Sequence, residues 1–247
     1  MRLCMPRVRG RGAGLGNELI PWTKAFIASA QLDLRLLPPA FGLNPWGYRK
    51  YFGTSRFDWI VHRILPWMMP TIVFTEAEYL ATGERDFGLA LAKFAKRHAL
   101  AKRHSYLLIV EGIWGGYYAL REAVPFVWQT LYRSGGVAEK LYAVRQRLRQ
   151  NELVVAVHMR FGDFAKAEET TDYRGRFNIS IPLDWYRSTC KAIREAVGEG
   201  VRFVLLTNGR PEQIRDYVEE FHPITTLDIP DSACSDLLTM AHADLIV

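Results

Sequence analysis

The chain has 247 residues, with 32 Lys and Arg against 26 Asp and Glu, which gives a formal net charge of +6. Hydrophobic residues make up 49% and charged residues 23%, ordinary globular proportions that exclude disordered and fibrous classes. The three cysteines, Cys4, Cys190 and Cys234, are far apart and form no Cys-x-x-Cys pair. A disulfide framework and a structural zinc site are therefore not expected. A reducing compartment is the expected location of the protein.

The first half predicts an opening strand over 3–9, ended by the glycine-rich run 10–16. A helix begins at or just before Asn17, and the alternating stretch 32–37 predicts a strand that ends at two prolines. The stretch 40–85 is rich in Gly, Pro and aromatic residues and supports no assignment. Further along, the pattern predicts helices over 87–103, 121–133 and 137–150, and a strand over 105–110.

In the second half, the apolar run 153–157 has the length and composition of a buried parallel strand. The remaining pattern predicts helices over 182–197, 211–221 and 235–242, and strands over 202–206, over 224–227 and from 245 onward. Strands alternate with helices, which favours parallel sheets covered by helices on both faces. The sequence predicts an α/β protein of two domains, 1–150 and 151–247, joined at a basic, polar helix end.

The two termini carry further expectations. The opening stretch 1–11 holds four arginines and no apolar segment, so no signal peptide is expected. Charged residues and prolines interrupt the apolar stretch 57–74, which therefore does not predict a membrane span. The final strand is apolar and is predicted to be buried. Because the sequence stops inside that strand, the C-terminal domain is expected to be truncated.

The sharpest motif is His158-Met-Arg160-Phe-Gly162-Asp163, which directly follows the predicted strand 153–157. An arginine at the carboxyl end of a parallel strand can grip a phosphate with two hydrogen bonds. Gly162 allows a tight turn, and Asp163 could orient the arginine or accept backbone N–H groups. A strand-end histidine beside a purely structural Arg–Asp pair explains the spacing about equally well.

Two glycine-rich segments are less specific. In the first, Gly10 to Gly16, no register gives Gly-x-Gly-x-x-Gly, and Asn17 stands where a phosphate-binding loop has lysine. On spacing alone it is a flexible turn before a helix. The second, Glu111-Gly-Ile-Trp-Gly-Gly-Tyr-Tyr118, combines glycines and aromatics that could form a sugar-binding wall, although such clusters are more often packed core.

Together these motifs resemble the α1,2-fucosyltransferase group, whose relatives include the nodulation, core α1,6 and protein O-fucosyltransferases. The signature His-x-Arg-x-Gly-Asp is matched in full by the motif at 158–163. The early turn Gly-x-Leu-Gly-Asn-Gln resembles Gly14 to Glu18, with Glu18 replacing the usual glutamine. The remaining matches, in the same order along the chain, are Glu111 to Trp114, Pro182 to Tyr186, Phe203 to Asn208 and Asp236 to Ile246.

The resemblance implies two facing Rossmann-like domains, the B-type glycosyltransferase fold, and transfer of fucose from GDP-fucose with inversion. The donor would bind mainly to the C-terminal half, and an oligosaccharide or glycolipid acceptor to the N-terminal half. Arg160 is expected to stabilise the charge on the leaving diphosphate, and His158 to contact phosphate or ribose. The other expected donor-binding residues are Gly14, Gly16, Asn17, Gly162, Asp163, Thr207 and Asn208.

The resemblance also implies an enzyme that uses no metal and no cofactor beyond its co-substrate, GDP-fucose. Glu18 is the first candidate for the catalytic base and Asp163 the second. The linkage expected is α1,2. The mild positive charge favours an anionic ligand or a membrane-surface contact, and no basic run interleaved with aromatics points to nucleic acid. The expected location is cytoplasmic, with peripheral contact at the inner face of the membrane.

Two alternatives stay open. One is a nucleotide or dinucleotide enzyme on the same fold, with Asp33 near the position of a ribose-binding acid. The other is a non-catalytic fragment that binds a sugar nucleotide.

Overall fold

The computed structural model describes residues 1–8, 14–114, 120–135, 142, 146, 153–162, 164–165, 179–225 and 233–247. The chain divides into two compact units, Met1–Gly136 and Val137–Val247. The predicted domain boundary at residue 150, and most of the predicted helix 137–150, lie outside the described residues. Each unit has its own parallel β-sheet, which confirms the expected α/β class.

The sheet of the first unit has the strand order β2-β1-β4-β3. Its strands are β1 (Arg2–Arg7), β2 (Arg35–Leu36), β3 (Thr71–Phe74) and β4 (Tyr106–Glu111). Every residue of β4 is buried, as expected for a central strand covered on both faces. The sequence prediction placed β1 and β4 correctly to within two residues.

The described residues of this unit form the α-helices α1 (Leu15–Leu32), α2 (Arg49–Phe52), α3 (Arg56–Met68), α4 (Glu76–Leu80), α5 (Phe87–Arg97) and α6 (Val124–Tyr132). Short 3₁₀ helices cover Phe41–Leu43, Leu100–Lys102 and Leu120–Ala123. Helix α1 packs on the sheet, and its Trp22 makes edge-to-face contacts with Phe41, Phe52 and Phe126.

Two predicted elements of this unit are shorter than expected. The strand predicted over 32–37 is only Arg35–Leu36, because α1 continues to Leu32 and Asp33 closes it in the left-handed conformation, with φ of 52°. The helix predicted over 87–103 ends at Arg97, because Ala99 takes a φ of 49° that no α-helix accepts.

The sheet of the second unit has the order β7-β6-β5-β8. Its strands are β5 (Leu153–Met159), β6 (Val201–Thr207), β7 (Ile224–Thr225) and β8 (Leu245–Ile246), and its helices are α7 (Leu183–Val197), α8 (Pro211–Phe221) and α9 (Ala233–His242). Apolar residues of β5, β6, α7 and α8 form the core, with Tyr217 and Phe203 among its largest buried side chains.

Two details of the second unit differ from the sequence prediction. Strand β5 extends two residues further than expected, so His158 lies in the strand and not after it. The prediction of a buried final strand is wrong, since Leu245 and Ile246 of β8 are exposed. The physical reason is that β8 lies at the edge of the sheet, beside β5.

No helix in the described ranges combines the length and the apolar character that crossing a bilayer requires.

Candidate functional site

The signature motif lies at the point of the second sheet where parallel α/β folds bind ligands. The chain runs from β5 to β6 to β7 on one side, and then places β8 on the other side of β5. Ligands of such sheets bind outside the carboxyl ends of the strands where the order reverses, which here is the end of β5. His158 and Arg160 lie at that end.

Neighbouring elements fix the backbone at the end of β5. The N–H of His158 donates to the carbonyl oxygen of Val247 at 2.9 Å. The hydroxyl of Tyr186, in the first turn of α7, donates to the carbonyl oxygen of His158 at 3.1 Å. The residue that starts the signature is therefore positioned from both sides.

Asn208 holds the loop that follows β5. Its side-chain oxygen accepts the N–H of Phe161 at 2.9 Å and that of Gly162 at 3.4 Å. A Cβ atom on Gly162 would lie 3.0 Å from the Asn208 amide nitrogen, so the close approach favours glycine here. The structure thus brings together Gly162 and Asn208, which the sequence assigned to one site from separate motifs.

The turn after β6 is also closely packed. The hydroxyl oxygen of Thr207 accepts the N–H of Gly209 at 2.9 Å. A Cβ on Gly209 would lie 2.6 Å from the Phe161 ring, which excludes other residues without movement. Thr207 is thereby placed beside the signature loop, on the strand next to β5.

The charged members of the motif interact with one another. Although its side chain is partly exposed, desolvation together with the positive charge of Arg160 lowers the pKa of His158, which favours the neutral imidazole at pH 7. Arg160 is half-buried, and its guanidinium carbon lies 5.1 Å from the centre of the Phe164 ring. Asp163 lies outside the described residues.

The first unit has its own cavity, of about 580 Å³. It opens at the carboxyl ends of β1 and β4, where Arg7 Nε donates to Glu111 Oε2 at 2.6 Å and the Glu111 side chain is buried. The residues that line it are Met5, Pro6, Arg7, Val8, Glu18, Pro39, Ala40, Trp59, His62, Arg63, Pro66, Trp67 and Glu111.

Glu18, the predicted catalytic base, lines this cavity. Burial raises its pKa to about 7, although the Asn44 amide, which donates to Glu18 Oε1 at 3.0 Å, opposes the shift. A carboxylate with a pKa near 7 is partly ionised at neutral pH and is suited to general-base catalysis.

The described part of the glycine-rich turn forms the start of α1. Gly14 is the N-cap, and the first helical hydrogen bond joins the Glu18 N–H to the Gly14 carbonyl at 3.1 Å. A Cβ on Gly14 or Gly16 would meet nothing within 4 Å among the residues that the structure describes, so their packing does not require glycine at either position. Asn17 is exposed in the same turn.

The described part of the segment after β4 ends at Trp114, which packs against the core of the first unit. The ring of Trp114 packs on Phe74 and Tyr79, at centroid distances of 5.2 and 4.8 Å. The ammonium group of Lys24 donates to the Trp114 carbonyl and lies 3.9 Å from the centre of its ring. These contacts give Trp114 a packing role in the first unit.

Sequence reasoning missed Arg7 and the cavity face of α3, which carries Trp59 and His62. The Ser55-x-x-Asp58 pattern could have located the helix, because it forms a capping box at the N-terminus of α3. His62 Nε2 lies 2.6 Å from the Pro38 carbonyl oxygen, and burial lowers the pKa of the imidazole.

Asp33, which supported the dinucleotide alternative, does not lie at the carboxyl end of β2. It closes helix α1 before the strand begins, and its exposed carboxylate pairs with Arg2 at 3.0 Å. A ribose-binding acid of the dinucleotide fold follows the second strand. In the described ranges, no group of three or more His, Cys, Asp or Glu side chains is placed to hold a metal ion.

Comparison with known proteins gives structural neighbours only. No protein-family model matches the chain, and no curated protein matches it. A crystal structure of NodZ α1,6-fucosyltransferase soaked with GDP-fucose is 12% identical, with a TM-score of 0.47 over 98% of this chain and 83% of that chain. A structure of the selenomethionine form of fucosyltransferase NodZ from Bradyrhizobium is 14% identical, with a TM-score of 0.48 over 97% of this chain and 84% of the other. Similarities of this size do not establish an activity.

Proposed function

We propose that the protein is an inverting glycosyltransferase that transfers fucose from GDP-fucose to a glycan hydroxyl, forming an α1,2 linkage. One observation carries the proposal. The described part of the signature, His158, Arg160 and Gly162, stands at the carboxyl end of β5, at the reversal of strand order in a parallel sheet, and Asn208 fixes its loop. This is the position at which α/β sheets bind nucleotides.

The second unit supplies the donor site in this proposal. Arg160 hydrogen-bonds the diphosphate and stabilises the negative charge that develops on the β-phosphate as the sugar leaves. His158 is neutral at pH 7, so it contacts phosphate or ribose as a hydrogen-bonding group and not as a cation. The Thr207 hydroxyl oxygen accepts the Gly209 N–H, so its own proton can add a donor near the leaving group.

The first unit supplies the acceptor site. Its cavity is large enough for a sugar ring, and it combines carboxylates with the aromatic rings of Trp59 and Trp67. Aromatic faces and acidic oxygens suit the apolar faces and hydroxyls of a saccharide. If the two halves face each other as predicted, the first turn of α1, with Gly14 and the exposed Gly16 and Asn17, offers backbone N–H groups to the donor diphosphate. The arrangement in which the two domains face each other stays a prediction.

In the chemical step, the acceptor hydroxyl oxygen forms a bond to the anomeric carbon of fucose as the bond to the β-phosphate oxygen breaks. The hydroxyl proton passes to Glu18, and GDP leaves as the anion held by Arg160. The charges balance without a metal ion, and no electron transfer is involved.

A transfer assay tests the proposal. The chain is incubated with GDP-fucose and a panel of oligosaccharides with different terminal sugars, and the product linkage is read by NMR. A fucosylated product from wild type and from Arg215→Ala, and none from Arg160→Ala, supports the proposal. Arg215 is the matched control because it is an exposed arginine on α8 of the same unit. Turnover of a different nucleotide sugar, with no product from GDP-fucose, overturns the donor assignment.

A further inference from the structure

Helix α3 presents an apolar face to solvent. None of its residues is buried, and Phe57, Trp67 and Met68 are 68%, 91% and 74% exposed. Exposed apolar side chains are ordinary one at a time, but several on one helix mark an interaction surface. Trp59, His62 and Pro66 of the same helix face the cavity, and no element in the described part of this unit covers the outer face.

The spacing places these side chains on one stripe. Phe57, Ile60, Ile64 and Trp67 follow one another at steps of three, four and three residues, and all four are exposed. We refer to these four residues and Met68 as the α3 face.

The charge beside the α3 face is positive. Arg56 and Arg63 are exposed and seven residues apart, so they flank the same stripe. The helix has one carboxylate, Asp58, and it is committed to the N-cap, where its Oδ2 accepts the Ser55 hydroxyl at 2.9 Å. The surface therefore combines aromatic and aliphatic side chains with two arginines.

We propose that the α3 face docks on an anionic lipid bilayer surface. Amphipathic helices with Trp and Phe on one side and basic residues beside them lie in the bilayer interface, where the rings reach the acyl boundary and the arginines reach the headgroups. A second copy fits the face less well, because a two-fold contact through α3 would bring the arginine pairs of both copies together.

This docking has a consequence for the cavity. Arg63 and Trp67 belong to the exposed surface of α3 and also line the cavity, so the bilayer would lie next to the cavity mouth. An acceptor anchored in lipid would then reach Glu18 without leaving the membrane. That consequence rests on the proposed transferase activity, whereas the docking does not.

Vesicle flotation tests the docking without any catalytic readout. Wild type is mixed with vesicles of phosphatidylcholine alone, or of phosphatidylcholine with about 30% phosphatidylserine. We expect binding to the anionic vesicles that weakens as salt rises. Phe57→Ser/Trp67→Ser should weaken it about tenfold or more. Arg56→Gln/Arg63→Gln should weaken it about fivefold per arginine, on anionic vesicles only.

Matched controls separate the α3 face from general surface effects. Leu80→Ser removes a 67% exposed leucine from α4, and Arg35→Gln/Lys102→Gln removes two exposed charges elsewhere in the unit. Both should bind like wild type, and thermal unfolding should show every variant folded. Three results overturn the proposal: no flotation of wild type, equal loss in the control variants, or wild-type dimers in sedimentation that Phe57→Ser/Trp67→Ser dissociates without any vesicle binding.

Discussion

The side-chain oxygen of Asn208 accepts the backbone N–H of Phe161 at 2.9 Å, and thereby ties the end of β6 to the loop that follows β5. The two residues come from motifs 47 positions apart in the chain. The acceptor is the oxygen of a neutral amide, which adds no charge beside the loop. The loop that carries Arg160 is therefore oriented by an adjacent strand and not by its own sequence alone.

Replacing Asn208 tests that relationship. Asn208→Ala removes the acceptor for two backbone N–H groups, so we expect GDP to bind about threefold to tenfold more weakly, the scale of one net hydrogen bond. Asn208→Asp keeps an acceptor oxygen and should retain the loop, although its charge near Arg160 competes with the diphosphate. Isothermal titration calorimetry measures both. Unchanged GDP affinity in the alanine variant would separate Asn208 from the donor site.

Tyr186→Phe removes the hydroxyl that donates to the His158 carbonyl. We expect a loss of about 1 kcal/mol in the free energy of unfolding, because a partly buried carbonyl loses its partner. Urea denaturation measures the loss, and Tyr142→Phe, at a 64% exposed tyrosine, is the control. Equal stability of the two variants would mean that water replaces the Tyr186 hydroxyl at no cost.

The raised pKa of Glu18 predicts a pH profile. Deprotonation at about pH 7 should raise kcat/KM between pH 6 and pH 8, because only the carboxylate accepts the acceptor proton. Glu18→Gln should lower kcat by about 10²–10⁴-fold and remove that limb of the profile. Asn44→Ala removes the hydrogen bond that lowers the pKa, so the limb should move to higher pH. A wild-type profile that is flat across this range excludes Glu18 as the base.

The same shift affects stability. The folded protein binds the Glu18 proton more tightly than the unfolded chain does, so protonation of Glu18 contributes to the free energy of unfolding. That contribution is complete below pH 4.5 and is lost as pH rises through 7. Glu18→Gln should therefore gain stability relative to wild type between pH 4.5 and pH 8. Chemical denaturation at both ends of that range measures the difference. If the difference in the free energy of unfolding between wild type and Glu18→Gln stays constant with pH, the raised pKa of Glu18 is contradicted.

The mechanism assigns leaving-group stabilisation to Arg160, so activity should survive excess EDTA. The transfer assay, run with and without chelator, checks this directly. Loss of activity with EDTA and recovery with Mg²⁺ or Mn²⁺ would show that a metal ion takes the role assigned to the arginine.

Much of the fold was predictable because apolar runs bounded by turn residues define the central strands. The runs at β4, β5 and β6 gave their strands to within two residues at each end. At the sheet edge the sequence pattern gave a wrong prediction, because β8 has the apolar composition of a buried strand but is exposed. The stretch 40–85 stayed unassigned because it is rich in Gly, Pro and aromatic residues, and because the helical spacing of the apolar residues in α3 marks an exposed face and not a core.

The sequence predicted several residues of the candidate site but not the contacts between them. His158, Arg160, Gly162, Thr207 and Asn208 were named from local motifs, and the described members of that set lie at two adjacent strand ends. The link through Asn208 and the partnership of Arg7 with Glu111 join residues distant in the chain, and sequence order alone does not show such contacts. The pKa of Glu18 depends on burial, which a motif does not reveal.

The central claim is that Arg160 binds the diphosphate of a guanosine nucleotide, and calorimetric titration with GDP tests it most directly. The account predicts that wild type and Arg215→Ala bind GDP alike, in preference to UDP and NAD. Arg160→Ala should bind GDP about 1.5–3 kcal/mol more weakly, and Arg160→Lys should recover little of the loss, because a point charge lacks the planar fork of arginine. Equal GDP affinity in wild type and Arg160→Ala, or tighter binding of NAD than of GDP, would contradict it.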